Sequence, residues 1–459
     1  MKKIFALTMA LITLSISAQS QAPSPRYGHS VCKIDSVYYI FGGITNGSEL
    51  KKINRTTALI MNDVYAYFPD QRQFTKLTTT GDPVPGMAGH NAMVYNNEIY
   101  VFNGTRSEAT NDSKYVFTPD NFKWTKGSTP PYNNKMYGFQ GRRSEATSDA
   151  TYVFAGGCDF TTNSASNECW TYNAQTEVWT QKNRMPCNGL YAGAGAQIGN
   201  KFYVFGGMSD YGPTQSLFSL DLVSGIWNVL NPTGYAIDGI YGMITGVLGN
   251  SFFISGGGMW TYEGGSSESA SKRSMQDGTT LSTSMYEFQV DTLSGNVNIV
   301  KHTGVNLPPT LFGAGWMDVE NNDTLMYMFG GISSITTAGD TILTNNFYRH
   351  NLTTGSVQQY HENTQDWGEI ISSVKQAEFK ISDELSIFPC PASTHINYVL
   401  KNSEAVKSIK IFNLNGQLVR TISKTTDNTL RINDLPAGVY FVRIDTFKKF
   451  YLSRFTKIK

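Results

Sequence analysis

Short runs in which apolar and polar residues alternate recur along most of this chain, and the period of two marks them as strands. Six of these runs end in a glycine turn: Phe41-Gly42-Gly43, Phe102-Asn103-Gly104, Ala155-Gly156-Gly157, Phe205-Gly206-Gly207, Ser255-Gly256-Gly257 and Phe329-Gly330-Gly331. Each is followed by a second alternating triplet: Tyr65-Ala66-Tyr67, Tyr115-Val116-Phe117, Trp170-Thr171-Tyr172, Phe218-Ser219-Leu220, Phe288-Gln289-Val290 and Tyr348-Arg349-His350. At a constant spacing after each triplet stand Phe74, Trp124, Trp179, Trp227, Val297 and Val357. Turn pairs such as Pro69-Asp70, Pro119-Asp120, Ser224-Gly225 and Ser294-Gly295 lie between, the chemistry a tight hairpin needs. A recurrence of about 50 to 70 residues suits radially repeated sheets rather than helical solenoids. A sheet of this kind cannot bury both faces alone, so it must pack against neighbours in a ring. The repeated glycines and aromatics therefore read as core.

A second pattern begins near the C-terminus. Residues 365–384 read as a polar linker, after which short alternating strands resume at 385–388, 396–400, 408–412, 417–422, 439–444 and 451–458, with Asn415-Gly416 as a hairpin turn. These predict a small β-sandwich, Ig-like in its layering. Charge changes with the pattern: residues 375–459 carry 14 Lys and Arg against 7 Asp and Glu, whereas residues 1–374 carry 23 against 29.

Composition narrows the class. A length of 459 residues would suggest about three domains, but the repeat merges most of the chain into one. Charged residues make up 16%, below the usual share of about 25%, and glycine and aromatics are abundant. The chain opens on Lys2-Lys3, an apolar run from Ile4 to Ile16, and Ser17-Ala18-Gln19, which predicts a secretory signal over residues 1–18 cleaved after Ala18. That run is short for a membrane span, and no later stretch predicts a transmembrane segment. Neither composition nor motif suggests nucleic-acid binding.

The repeat resembles the kelch motif: a glycine pair after an apolar strand, then a spaced Tyr and Trp. The likeness covers about residues 23–364 and departs from the pattern at Asn103, Val297 and Val357. It implies an all-β, six-bladed kelch-type β-propeller followed by the sandwich. The tail resembles the C-terminal sorting domain of the type IX (Por) secretion system over residues 385–459. The matching residues are Ile387-Phe388-Pro389-Cys390-Pro391-Ala392-Ser393, Ile411-Phe412-Asn413-Leu414-Asn415-Gly416, Leu435-Pro436-Ala437-Gly438-Val439-Tyr440-Phe441-Val442 and the closing Phe455-Thr456-Lys457-Ile458-Lys459. Cys390 stands where asparagine is usual. This resemblance implies engagement of the type IX machinery, removal of the tail, and release or attachment at the outer cell surface.

Function is then expected on the propeller rim where the connections between second and third strands meet those between blades. The former are long and dissimilar, and loops of that length are commonly functional. Ligand-contacting candidates are Arg26, His29, His90, Arg142, Arg143, Tyr191, Tyr241 and Trp316 near the channel, with Trp260 and Tyr262 in the fifth connection. The arginines could grip an acidic group, and the aromatics could stack on sugar rings or anchor a protein partner. Cys158 and Cys169 could form a disulfide, with Cys187 as a competing partner. No catalytic constellation, metal-ligand spacing or cofactor motif stands out. The expectation is a binding module without enzymatic activity, taking a protein or carbohydrate. The kelch likeness supplies the alternative, a carbohydrate-active propeller such as a sialic-acid epimerase or a galactose-oxidase-like enzyme, whose residue sets cannot be assigned here.

Overall fold

A computed structural model describes residues 21–45, 59–102, 104–106, 113–131, 136–137, 150–159, 164–260, 279–302, 307–335, 341–369, 385–401, 404–413, 418–422, 428–446 and 450–458. The expected signal segment, Asn103, Arg142, Arg143, Tyr262 and the expected Asn415-Gly416 turn lie outside these residues, as does the side chain of Trp260. The chain divides into two compact units, residues 1–368 and 369–459, and every described element of either is a strand, turn or irregular segment.

In the first unit, six principal antiparallel sheets follow one another along the described chain. Sheet 1 is built from Ser30–Ile34, Val37–Phe41, Val64–Phe68 and Gln73–Leu77. Sheet 2 holds Asn91–Tyr95, Glu98–Phe102, Tyr115–Thr118 and Lys123–Lys126. Sheet 3 shows Thr151–Ala155, Cys169–Asn173 and Val178–Lys182. Sheet 4 comprises Ala194–Ile198, Lys201–Phe205, Leu217–Asp221 and Trp227–Leu230. Sheet 5 runs over Ile244–Leu248, Ser251–Ser255, Met285–Val290 and Val297–His302. Sheet 6 runs over Ala314–Glu320, Asp323–Phe329, Phe347–Asn351 and Val357–His361.

Alternation along each strand sends one set of side chains to the preceding sheet and the other to the following one. Phe102 and Tyr172 thus join sheets 2 and 3, while Val153 and Phe218 join sheets 3 and 4. The last sheet packs on the first: Tyr38, Tyr67 and Phe74 share a core with Trp316, Tyr327, Phe329 and Phe347. The sheets therefore close a ring. Among the described residues no strand is exchanged across this closure, since sheets 1 and 6 each draw all their main strands from one stretch of sequence.

The glycine pairs sit where the second strand of each sheet turns at the rim. Gly43 has φ +97°, and a Cβ there would stand 2.9 Å from the Cβ of His29 and 3.0 Å from the carbonyl of Tyr27. Left-handed backbone and close approach both require glycine at this point. The expected linker contains structure at its start. Asp366–Glu369 adds a fifth strand to sheet 6, and Trp367 packs on Phe347, Tyr360 and Tyr327.

The second unit is a sandwich of two sheets. One contains Leu385–Phe388, His395–Leu400 and Thr429–Arg431; the other contains Leu418–Ile422, Val406–Asn413, Gly438–Thr446 and Phe450–Lys457. Between them lie Ile396, Ile409, Ile411, Leu430, Val442, Ile444 and Phe455. Thr429–Arg431 is not apparent from alternation, because Leu430 is its one apolar residue.

Candidate functional site at the channel mouth

Among the described residues, the segments leading into sheets 1, 2, 4, 5 and 6 each place one residue in left-handed backbone at the ring axis. These residues are Gly28, Gly89, Ala192, Gly242 and Phe312, with φ between +55° and +66°. They hydrogen-bond head to tail: the amide of Gly89 donates to the carbonyl of Gly28 (2.7 Å), Gly28 to Phe312 (2.8 Å), Phe312 to Gly242 (2.8 Å) and Gly242 to Ala192 (2.7 Å). This chain of peptide groups ties sheets 2, 1, 6, 5 and 4 together around the channel. Gly242 leaves room for its neighbours: a Cβ there would meet Leu311 Cδ1 at 2.5 Å and the Phe312 ring at 2.9 Å, and both side chains would have to shift.

Just outside the backbone ring, the residues preceding Gly28, Ala192, Gly242 and Phe312, together with the Phe312 side chain, form an aromatic and aliphatic collar. Tyr27, Tyr191 and Phe312 are half-buried over a core of Met208, Tyr241, Leu311, Ile332 and Leu343. The Phe312 ring lies 6.2 Å from Tyr27 and 5.9 Å from Tyr241. Burial pushes the Tyr27 phenol up to about 12 and the Tyr191 phenol further in the same direction. Both hydroxyls are thus neutral donors at physiological pH. Tyr241 is fully buried, and its Oη lies 3.3 Å from Thr279 Oγ1.

The other residues singled out from the sequence divide by position. Arg26 is fully buried, and all five of its N–H donors are engaged. Nη1 donates to Asp63 Oδ1 (2.6 Å) and the Gly42 carbonyl (2.8 Å), Nη2 to Asp63 Oδ2 and Ser24 Oγ (both 3.0 Å), and Nε to the Ser24 carbonyl (3.0 Å). Its backbone accepts from Gly331 and donates to the Thr344 carbonyl, so Arg26 latches sheet 1 to sheet 6. Trp316 lies in the core of the same seam, stacked on Tyr38 at 4.1 Å. His29 is wedged against Phe329 at 5.3 Å, and His90 Nε2 lies 2.7 Å from Ser30 Oγ. Burial, with Arg26 adding to it, pulls the His29 imidazole down to about 3, so it is neutral. Tyr191 alone among the described candidates is both at the mouth and part-exposed.

Cys158 and Cys169 are thiols with no bond between them. Cys169 pairs with Ala155 inside sheet 3, whereas Cys158 has passed the glycine turn and pairs with Tyr137 in a separate short rim sheet. Burial raises the Cys169 thiol to about 12, which makes it a poor nucleophile.

Tyr27 stands at a blade entry with Arg26 and His29 and is legible there, whereas Phe312, which completes the collar, holds no charge or motif of the kind that marks such positions. Aligning the segments that lead into each sheet, Tyr27-Gly28, Ala88-Gly89, Tyr191-Ala192, Tyr241-Gly242 and Leu311-Phe312, is the signal that finds it.

Comparison with known proteins agrees with this geometry. The KLHDC2/KLHL20/DRC7 kelch-repeats domain matches residues 4–142 and 54–257, and the secretion system C-terminal sorting domain matches residues 386–457. The chain is 27% identical over 116 residues to the Rho GTPase-activating protein gacHH of Dictyostelium discoideum, covering 25% of this chain and 7% of that protein. It is 27% identical over 232 residues to the leucine-zipper-like transcriptional regulator 1 homolog of Drosophila melanogaster, covering 47% of this chain and 22% of that protein. The chain thus spans less than a quarter of either relative. The solved structure of YjhT superimposes with a TM-score of 0.51 at 16% identity, covering 72% of this chain and 96% of that one. The sorting tail indicates export through type IX secretion to the cell surface or beyond. The chain belongs to the kelch-repeat proteins, and its β-propeller is followed by a Por-type secretion sorting domain.

Proposed function

We propose that the propeller is a binding module without enzymatic activity, and that it takes a protein or carbohydrate ligand over the channel mouth after export. The observation that carries this reading is the convergence of Tyr27, Tyr191 and Phe312 on one rim, half-exposed and uncharged. Flat rings with neutral hydroxyl donors suit the apolar face of a sugar or an aromatic or aliphatic side chain. Arg26, among the described candidates the one cation, is satisfied internally by Asp63, which favours an uncharged ligand group. A leader over residues 1–18 would deliver the chain for export, and a mature N-terminus at Gln19 by mass spectrometry checks it.

The test is binding of the mature chain to glycan and envelope-protein arrays, repeated with Phe312→Gly. Glycine keeps the left-handed backbone of the peptide ring and removes only the aromatic face. A loss of about 2 kcal/mol is expected for a central aromatic anchor, roughly 30-fold in Kd. Uniform absence of binding, or affinity unchanged by Phe312→Gly, overturns the reading.

A further inference from the structure

The space between sheets 5 and 6 is filled differently from the other intersheet spaces. Where those hold mainly aromatic and aliphatic residues with at most one buried methionine each, this one brings together Met285 from sheet 5 with Met317, Met326, Met328 and His350 from sheet 6, all at most 6% exposed. Strand register accounts for the convergence. Met326 is directly opposite His350, Met328 is two residues further on the same face, and Met285 is opposite both Ser255 and His302.

The contacts are those of soft donors. His350 Nδ1 lies 3.1 Å from Met285 Sδ, and Ser255 Oγ donates to Met328 Sδ at 3.3 Å. His350 Nε2 is buried and has no hydrogen-bond partner. An imidazole met only by a thioether has lost its water for little return, a penalty that a buried polar group ordinarily avoids. Burial and the neighbouring His302 pull this imidazole down to about 4, so it is neutral and keeps a lone pair. Above the cluster, His302 and Glu287 are partly exposed with Nε2 and Oε2 3.4 Å apart.

We propose that this wedge is a binding site for a soft monovalent cation, Cu(I), with His350 and Met285 as ligands and the Met328 thioether beside them. Thioether and imidazole donors select Cu(I) among biological metals. The separation of 3.1 Å between His350 Nδ1 and Met285 Sδ is within about half an ångström of what two donors on one tetrahedral ion span, with bonds of about 2.0 and 2.3 Å, so Nδ1 is the ligating nitrogen and Nε2 carries the proton. Charge decides the valence: neutral imidazole and thioether donors leave a monovalent ion one uncompensated charge and a divalent ion two, and the burial penalty rises with the charge. The five cysteines lie elsewhere, in other cores or in the tail.

The full chain is titrated with Cu(I) in ascorbate against bicinchoninate, beside the double variant Met285→Leu/His350→Leu. The wild type is expected to hold one equivalent more than the variant, which cancels any contribution from thiols common to both. Equal uptake overturns the proposal. Should the variant fail to fold, methionine-methyl NMR of the wild-type chain with Ag(I) as the redox-inert probe decides. Shifts of the Met285 and Met328 methyl resonances are expected, and unshifted resonances overturn the site.

Discussion

The seam between sheets 6 and 1 and the wedge between sheets 5 and 6 occupy equivalent places in the ring but are built from different materials. The seam joins the two ends of the propeller, so it must pay the entropy of closing a loop of some 300 residues, and it does so with stiff rings and charges. Trp316 stacks between Tyr38 (4.1 Å) and Tyr327 (5.0 Å), Tyr67 meets Phe347 at 4.8 Å, and Lys33 pairs with Asp318 at 2.7 Å. Tyr38 also donates to Asp318, and Arg72 pairs with Asp366 beyond it. The 5–6 wedge joins sheets already connected by the chain, and flexible methionines fill it. Stiffness is thus placed where chain connectivity does not help.

Perturbing the seam should therefore cost most. Trp316→Ala removes the central ring and is expected to destabilise by about 3–5 kcal/mol, and Arg26→Met, which strands the buried Asp63 carboxylate, by a similar about 3–5 kcal/mol. Denaturant midpoints measured at constant m-value check both. Acid should come next. His29 and His350 are held down at about 3 and about 4, so between about pH 6.5 and those values the unfolded chain binds protons that the folded chain refuses. Stability accordingly falls as pH drops from about 6.5, by up to about 1.4 kcal/mol per pH unit for each histidine. His350→Leu should flatten that slope in pH-dependent melting, and an unchanged slope would refute its assignment to this residue.

Smaller effects should follow at the edge of the seam and inside the wedge. Trp367→Ala removes a half-buried ring that Arg349 covers at 4.6 Å, and a loss of about 1–2 kcal/mol is expected in the full chain. Met285→Leu conserves volume and should cost less than about 1.5 kcal/mol. If thermal melting ranks Met285→Leu above Trp316→Ala, the contrast between seam and wedge fails.

Much of this could be read from the residues in order. Trp124, placed at a constant distance after an aromatic triplet, is core where spacing puts it, Trp179 packs half-buried against the next core, and Gly43 turns at the rim because nothing larger fits beside His29 and Tyr27. The tail's strands follow its alternation to within two residues. Arg26 and Trp316 were less legible. A charged residue and a large aromatic at the start of a repeat suggest a lined channel, yet in a ring both faces of an inner strand can be covered, and period-two alternation does not say by what.

Sequence by itself determined the repeat, the all-strand character, the separate tail and its export signature, because these rest on local alternation, turn chemistry and motif order. Tertiary structure alone decided that Arg26 and Trp316 bind sheet 6 to sheet 1, that Gly28, Gly89, Ala192, Gly242 and Phe312 meet at the axis, and that Met285 faces His350. Those partners are tens to hundreds of residues apart, and only closure of the ring brings them within reach.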